Sequence, residues 1–421
     1  MNWEMLSCEL SNHTLLEQEN INAFIYRNKS FMKSVKMDIK CVSFFESIEI
    51  LSFLIYAHPY IRYDEWENLI YQCLSKIRDG IYKKQFWGVY AYNGLIHIGF
   101  LLCDLVKIIP EITSFKDSMD TLIVAELRLR LKLFEEKPIK SRRIYELIYG
   151  LSGILRYCCF EKKSSEWKKF TEDIVGTLYR RLYPCNTQEV VFPWISYVPS
   201  ENEINNYNID THTRLIDYGV AHGISGTLAS LANVYSLGYQ QNTGELIQYL
   251  LDELSNAKYY DNGIVFWPQK INIKDYRQNR IIKQSRNRMG WCYGSPGILR
   301  AIYLAARATS RDEFLEFSIE EFKKIARLNI SEYKLTSPIV CHGLAGTESI
   351  FRNMYKDTGV EEFDIKSREM MNEILADLTS DKELWKIKKY DYLDGCTGVL
   401  QTIYSFSSGK SNVNEVRMLI R

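Results

Sequence analysis

The stretch "CYGSPGILRAIY" (Cys292–Tyr303) joins a Gly-x-x-Gly loop to an apolar helical segment, and this pattern recurs along the chain. After the second glycine, the apolar residues follow the inner stripe of an amphipathic helix. The other copies are "YGLSGILRYCCF" (Tyr149–Phe160), "AHGISGTLASLA" (Ala221–Ala232), "CHGLAGTESIF" (Cys341–Phe351) and "LDGCTGVLQTIY" (Leu393–Tyr404). A motif repeated in this way indicates a repeat architecture.

Two weaker copies lie towards the N-terminus. "YNGLIHIGFLLCDL" (Tyr92–Leu105) has His97 in place of the second glycine, and we interpret His97 as filling space in a degenerate loop. "FFESIEILSFLIYA" (Phe44–Ala57) retains no glycine. The copy that begins at Cys341 departs in another way, because Glu348 falls inside its apolar stripe.

Further helical stretches lie between the copies, such as Gly244–Tyr260 and Glu313–Leu328. Each unit of roughly 50–70 residues therefore comprises an outer helix, a glycine-rich loop and an inner helix. We predict an all-α protein: an α/α toroid, a ring of about seven helical hairpins whose loops open at one end. Alternating apolar residues predict strands within Gln188–Glu201 and Asn262–Ile273. We expect one domain over residues 1–421, with small strand-containing insertions near 185–205 and 260–280.

Composition excludes several classes of protein. With a net charge of +1, the 421-residue chain offers no electrostatic basis for binding nucleic acid. The apolar run Ile48–Ala57 is too short to span a bilayer, and no secretory signal is visible, so we expect a cytoplasmic protein. None of the ten cysteines forms a CxxC pair. Ligands of any bound metal must therefore come from distant parts of the chain.

The residues around the first glycine of each copy suggest where such ligands lie. Cysteine stands two positions before this glycine at Cys292 and Cys341, and His342 follows Cys341. If the repeat loops meet at one cavity, these three side chains can converge despite their separation. Two thiolates and one imidazole form a sound zinc set with one tetrahedral position open. Alternatively, each cysteine is a small core residue, which is how we interpret Cys396.

The loops "AHGISG", "WCYGSPG" and "CHGLAG", in this order and spacing, resemble the lanthionine synthetase C (LanC) family of lantibiotic cyclases. The resemblance extends from about Phe44 to about Phe406 and implies an α/α-toroid fold. It also implies one Zn2+ per chain, held by Cys292, Cys341 and His342, with the fourth position open to a substrate cysteine. The implied reaction is an intramolecular Michael addition of peptide cysteine thiolates to dehydroalanine or dehydrobutyrine. Its products are lanthionine and methyllanthionine rings.

Four residues are candidates for the catalytic chemistry. His222 is the expected proton donor, because histidine titrates near neutral pH. The resemblance points to Arg288 for stabilising the enolate oxygen and to Tyr293 for donating or positioning. Glu146, in "YELIYG", stands where the family usually has an aspartate, and could orient His222. Arg288 as a surface cation and Glu146 as an exposed helix residue remain alternatives, and we assign His212 to an exposed loop.

The resemblance further implies a dehydrated precursor peptide with a leader as substrate. A lantibiotic dehydratase and an ABC transporter are implied partners, which would hold the protein at the periphery of the membrane. An alternative is a non-catalytic LanC-like scaffold or peptide-binding protein in such a complex. A third is another helical-ring enzyme: prenyltransferases have an aspartate in their zinc set, and glycosidases need paired carboxylates, whereas Asp394 stands alone. The two strand-like segments are candidates for leader recognition.

Overall fold

The computed structural model describes residues 3–13, 18–136, 141–160, 164–184, 195–207, 213–280, 288–379 and 389–418. The described helices of the first half are α1 (Trp3–His13), α2 (Gln18–Asp38), α3 (Phe44–Ala57), α4 (Tyr63–Tyr82), α5 (Leu95–Leu105), α6 (Thr113–Glu136), α7 (Leu151–Phe160), α8 (Ser165–Leu182) and α9 (Glu201–Tyr207). Those of the second half are α10 (Ile224–Ser236), α11 (Thr243–Ala257), α12 (Ile273–Arg277), α13 (Ser295–Thr309), α14 (Asp312–Ala326), α15 (Leu344–Thr358), α16 (Glu361–Thr379), α17 (Cys396–Ser408) and α18 (Val413–Arg417). Single turns of 3-10 helix lie at His58–Tyr60, Pro110–Ile112, Arg142–Ile144 and Ile330–Tyr333.

Seven of the described helices form a closed inner ring, in which each packs against the next: α3, α5, α7, α10, α13, α15 and α17. The ring closes where α17 packs against α3. Outside it, α4, α6, α8, α11, α14 and α16 pack on the first six inner helices, and α1 packs on α17 and α2. The predicted α/α toroid of seven hairpins is confirmed, with the N-terminal helices at the seventh outer position.

The second glycine of each motif is required by close backbone approach. A Cβ at these glycines would lie 1.8–2.1 Å from the carbonyl oxygen six residues earlier, at Gly153, Gly226, Gly297, Gly346 and Gly398. The same Cβ would also come within 3.3 Å of a side chain of the preceding loop. Any other residue would push the loop from its own helix and from its neighbour. The second glycine of each motif therefore allows each loop to pack against its own helix and against the preceding loop of the ring.

Main-chain hydrogen bonds link successive loops around the ring. Leu147 donates to the carbonyl of Ala221 at 3.3 Å, and Val220 donates to that of Cys292 at 2.8 Å. Cys292 in turn donates to the carbonyl of Cys341 at 3.1 Å, and Cys341 to that of Leu393 at 2.8 Å. Loops far apart in sequence are thus held side by side at one end of the ring.

The last described residues, through α18, enter the ring and pack against α5 and α7. Arg417 is fully buried and donates to the carbonyl of Ala91 at 2.6 Å. The indole of Trp291 donates to the carbonyl of Met418 at 3.1 Å. Arg352 joins α15 to α18, with 3.0 Å to Glu348 and 2.9 Å to Glu415. Glu348, which breaks the apolar stripe of α15, is therefore paired inside the ring.

We expect Arg352→Leu to lower the free energy of unfolding by about 3 kcal/mol, because it leaves two buried carboxylates without their cation. Burial already raises the pKa of Glu348 against the opposing effect of Arg352. In the variant, the pKa of Glu348 should rise further in the folded state, because the cation that opposed the shift is gone. The loss of stability should then shrink as the pH falls towards about 4, because a protonated Glu348 needs no counterion.

Urea unfolding of the native chain and the variant, at neutral and acidic pH, measures this effect. Arg327→Leu is the matched control, because that side chain is 67% exposed and lies 3.7 Å from Glu362. Its loss should cost under about 1 kcal/mol. Equal stability of Arg352→Leu and the native chain would show that the buried pairs do not hold α18.

The short strands lie beside the ring mouth: β1 (Leu215–Asp217), β2 (Tyr259–Asp261), β3 (Ile264–Phe266) and β4 (Lys270–Asn272). β1 pairs antiparallel with β4, and β2 with β3. In the segment expected to contain an insertion near 185–205, residues 185–194 lie outside the described residues, and Tyr197 forms an isolated bridge with Leu215. The helix predicted over Gly244–Tyr260 ends at Ala257, because Tyr259 and Tyr260 pair in β2 instead.

No helix among the described residues is long and apolar enough to span a membrane.

Candidate metal centre

A cavity of about 300 Å3 lies at the mouth of the ring, where the loops before α10, α13 and α15 meet. Gln269, the residue just before β4, also lines the cavity. The lining residues are Ala221, His222, Gln269, Arg288, Gly290, Cys292, Tyr293, Gly294, Cys341 and His342. Six of the seven residues predicted for the site therefore line one cavity, and the seventh, Glu146, contacts it through His222.

Cys292, Cys341 and His342 form a cluster whose ligand atoms all lie within 4.8 Å of one another. Zinc bonds to sulfur and nitrogen of about 2.0–2.3 Å require ligand atoms only slightly closer than this. Two thiols and an imidazole are also a donor set that suits zinc. The residues present therefore fit a zinc ion with small side-chain adjustments.

The backbone holds this cluster in shape. Besides the hydrogen bond from Cys292 to the carbonyl of Cys341, Gly290 lies so close to His342 that a Cβ there would be 2.9 Å from the His342 Cα. A hydrogen bond with Cys292, together with burial, raises the pKa of the Cys341 thiol. A hydrogen bond with Cys341 raises the pKa of His342, against the effect of burial. Cys341 therefore contacts both Cys292 and His342.

His222 is held by a buried carboxylate. Its Nδ1 lies 2.5 Å from Glu146 Oε2, and Glu146 is only 1% exposed. Glu146 lies in the loop before α7 and also accepts the main-chain N–H groups of Ile148 and Tyr149. The alternative of an exposed helix residue is therefore wrong. With Nδ1 hydrogen-bonded to the carboxylate, Nε2 is the nitrogen left to exchange a proton in the cavity.

Asp217 at the end of β1 is a residue that the sequence reasoning missed. It is fully buried and accepts the Tyr293 hydroxyl at 2.9 Å and the Gly219 main-chain N–H at 2.9 Å. Arg142 lies 3.6 Å from this carboxylate and Lys270 lies 4.0 Å away. Burial raises the pKa of Asp217, although both cations oppose the shift. In the sequence, the only sign of this residue was an acid that follows two apolar residues, five positions before a candidate histidine.

The loop before α17 contributes a further carboxylate, since Asp394 Oδ1 lies 3.9 Å from His342 Nδ1. Arg288 is exposed at the cavity rim. Cys396 begins α17, lies outside the cluster, and has a pKa raised to about 12 by burial. His97 is fully buried in α5 and stacks on Tyr92. His212 lies outside the described residues.

The fold and the cavity together define an α/α-toroid protein with a candidate Cys–Cys–His metal cluster at the ring mouth. Residues 49–412 match the family model of the lanthionine synthetase C-like proteins, and the chain belongs to this family. It is 24% identical over 301 residues to the nisin biosynthesis protein NisC of Lactococcus lactis subsp. lactis, a match that covers 67% of this chain and 68% of that protein. Among solved structures it resembles nisin cyclase, with a TM-score of 0.78 and 18% identity, over 93% of this chain and 98% of that one.

Proposed function

We propose that this protein is a zinc-dependent lantibiotic cyclase. It would join cysteine thiols of a dehydrated precursor peptide to dehydroalanine or dehydrobutyrine residues, forming lanthionine and methyllanthionine rings. The observation that carries the proposal is the convergence of Cys292, Cys341 and His342 in a cavity that also holds His222. The similarity to a nisin biosynthesis protein supports it.

Cys292, Cys341 and His342 would hold the zinc ion. When bound, zinc would supply the Lewis acidity that favours the thiolate form of a peptide cysteine at neutral pH. The sulfur of that cysteine adds to the β-carbon of the dehydrated residue. The electron pair of the double bond passes to the neighbouring carbonyl as an enolate, and a proton must then reach the α-carbon.

His222 is placed to deliver this proton from Nε2, since Glu146 accepts a hydrogen bond from Nδ1. The carboxylate fixes the ring orientation and stabilises the charged imidazolium before transfer. Arg288, at the cavity rim, is the cation available to stabilise the enolate oxygen. The Tyr293 hydroxyl donates its hydrogen bond to Asp217, so its role is to position the substrate or the neighbouring Cys292 loop rather than to act as the acid.

Asp217→Asn tests whether the carboxylate acts through Tyr293. When the amide oxygen of asparagine keeps the Gly219 main-chain N–H, the amide nitrogen cannot accept the Tyr293 O–H, so that hydrogen bond is lost. We expect kcat to fall about tenfold with the zinc content unchanged. Tyr293→Phe should cost a similar factor, and the double variant should be no slower than either single one, because both changes remove the same interaction. Additive losses in steady-state kinetics would assign Asp217 a structural role only.

Incubation of the purified protein with a dehydrated precursor peptide tests the proposed function. Ring closure leaves the peptide mass unchanged, so closed cysteines are counted by mass spectrometry after thiol alkylation. We expect about one zinc per chain and loss of alkylatable thiols over time. A zinc-loaded protein that leaves every thiol free would contradict the proposal and favour the non-catalytic scaffold.

We further propose a dehydratase and an ABC transporter as partners, in a complex at the membrane periphery. The family membership supports this proposal. Co-purification of these proteins from a producing cell would test it, and their absence from the purified complex would count against it.

A further inference from the structure

A group of four aromatic rings lies on the rim beside the cavity: Phe45, Trp87, Tyr90 and Tyr149, which we call the aromatic shelf. Trp87 is exposed, Phe45 and Tyr149 are half-buried, and Tyr90 is buried beneath them. Trp87 packs on Phe45 with ring centroids 4.7 Å apart and lies 6.4 Å from Tyr149. Tyr90 meets Tyr149 edge-on at 5.4 Å. These rings come from the loops before α5 and α7 and from the start of α3. They therefore connect three consecutive units of the ring.

The aromatic shelf is continuous with the candidate active site. The ring of Tyr149 stacks on that of His222, with centroids 6.4 Å apart and an interplanar angle of 21°. His222 lines the cavity that holds Cys292, Cys341 and His342. An unbroken row of rings thus runs from the candidate proton donor to Phe45, on the side of the cavity away from the candidate metal ligands.

Trp87 is 55% exposed, unlike most large apolar side chains among the described residues. Gly88 follows with φ of +122°, a conformation that disfavours any other residue. A Cβ at Gly88 would also lie 3.2 Å from the Tyr90 ring. The loop therefore presents Trp87 to solvent in a preformed orientation. Exposed aromatic rings beside a reactive cavity are typical of ligand contact.

We propose that the aromatic shelf binds the segment of the substrate peptide that flanks the dehydrated residue, through apolar side chains in that segment. This inference rests on the proposed function, because it takes the peptide as the ligand. With the candidate ligands for the thiol on one side and the aromatic shelf on the other, the dehydrated residue would lie beside His222. Arg130 over Tyr90 at 4.4 Å and Arg143 over Tyr149 at 5.9 Å add cations that can meet peptide carbonyls.

The dimensions limit what the aromatic shelf can hold. Three centroid steps of 4.7, 6.4 and 6.4 Å separate Phe45 from His222. An extended chain advances about 3.3–3.6 Å per residue, so the aromatic shelf spans at most roughly five residues. It would thus select the sequence next to the forming ring rather than a long leader.

Two synthetic peptides test the proposal. Each has one dehydroalanine and one cysteine, and they differ only in their flanking residues, which are leucine and phenylalanine in one and serine in the other. We expect native protein to close the apolar peptide with a KM about tenfold lower, at similar kcat, since burial against aromatic rings is worth about that factor. Trp87→Ala should bring the two KM values to within about twofold, and Trp87→Phe should restore part of the difference.

Fluorescence anisotropy with labelled cysteine-to-serine versions of both peptides measures binding without catalysis. Tyr82→Ala is the matched control, because Tyr82 is 80% exposed at the end of α4. The Kd for the apolar peptide should be about tenfold higher for Trp87→Ala than for native protein, and unchanged for Tyr82→Ala. If Trp87→Ala weakens binding but native protein closes no rings, the aromatic shelf is supported as a binding site and the proposed function is rejected.

Ring closure with an unchanged Kd and KM in Trp87→Ala would overturn the aromatic shelf alone. Sedimentation of both proteins adds a further check. A native dimer that dissociates on Trp87→Ala would assign the surface to a second copy of the chain and also overturn the proposal.

Discussion

Cys341→Ala is expected to lose bound zinc and thioether formation together. Cys292 and His342 remain, but two ligands do not hold the ion firmly, so the zinc content should fall from about one per chain to a trace. Ring closure should slow by about 10³-fold or more, because several kcal/mol of stabilisation for the attacking sulfur are lost. Elemental analysis of the purified variant and thiol counting by mass spectrometry measure the two effects independently.

Cys396→Ala is the control for this variant. Cys396 is buried at the first residue of α17 and lies outside the ligand cluster. Its replacement should cost about 1 kcal/mol of stability and leave both zinc and ring closure unchanged. Retention of zinc in Cys341→Ala, or ring formation by a zinc-free variant, would exclude the assigned ligand set.

His222→Ala should slow ring closure by about 10²–10⁴-fold while keeping the zinc, because His222 is not part of the ligand cluster. Without a proton donor fixed on one face, the enolate either expels the sulfur again or takes a proton from water on either side. The residual product should therefore contain both configurations at the α-carbon. Chiral analysis of hydrolysed product measures this, and purely structural damage would slow the reaction without mixing the configurations.

Glu146→Gln gives a graded comparison. The amide keeps contact with His222 but removes the charge that stabilises the imidazolium, so we expect about a tenfold loss. Glu146 also binds two main-chain N–H groups, as Asp391 does in the loop before α17. The stability of the variant must therefore be measured beside its rate. For His222→Ala, ring closure as fast as that of native protein, with one α-carbon configuration in the product, would exclude His222 from the mechanism.

The ring and the position of the candidate ligands could be predicted because their causes repeat along the chain. A glycine such as Gly297 or Gly398 marks a contact within its own loop, so its spacing is visible without the structure. Cys292 and Cys341 occupy equivalent positions in two copies, and equivalent positions of a ring meet at one end. The ring and the ligand positions both depend on a local loop geometry that recurs in several repeats of the chain.

Other features were hidden because their partners are distant or occur once. Asp217 meets Tyr293 across 76 positions, and no repeat marks the pair. The segment around Glu415 and Arg417 has the composition of an exposed helix, and its burial depends on distant partners such as Arg352 and Ala91. The strands are three residues long, too short for alternation to locate their ends. Of the aromatic shelf, Phe45, Trp87 and Tyr90 arise in the units where the glycine motif is weakest, and Tyr149 alone belongs to a full copy.

The four hydrogen bonds donated by Leu147, Val220, Cys292 and Cys341, which join successive loops around the ring, use main-chain atoms alone. Side chains at Cys292 or Cys341 can therefore be exchanged while the loops stay where they are, provided that the replacement is not proline. A relative that has lost every metal ligand would keep the same architecture, and new ligands grafted onto another adjacent pair of loops would face the same mouth. Such a scaffold evolves its chemistry independently of its shape, so activity across these proteins has to be judged from a handful of loop residues.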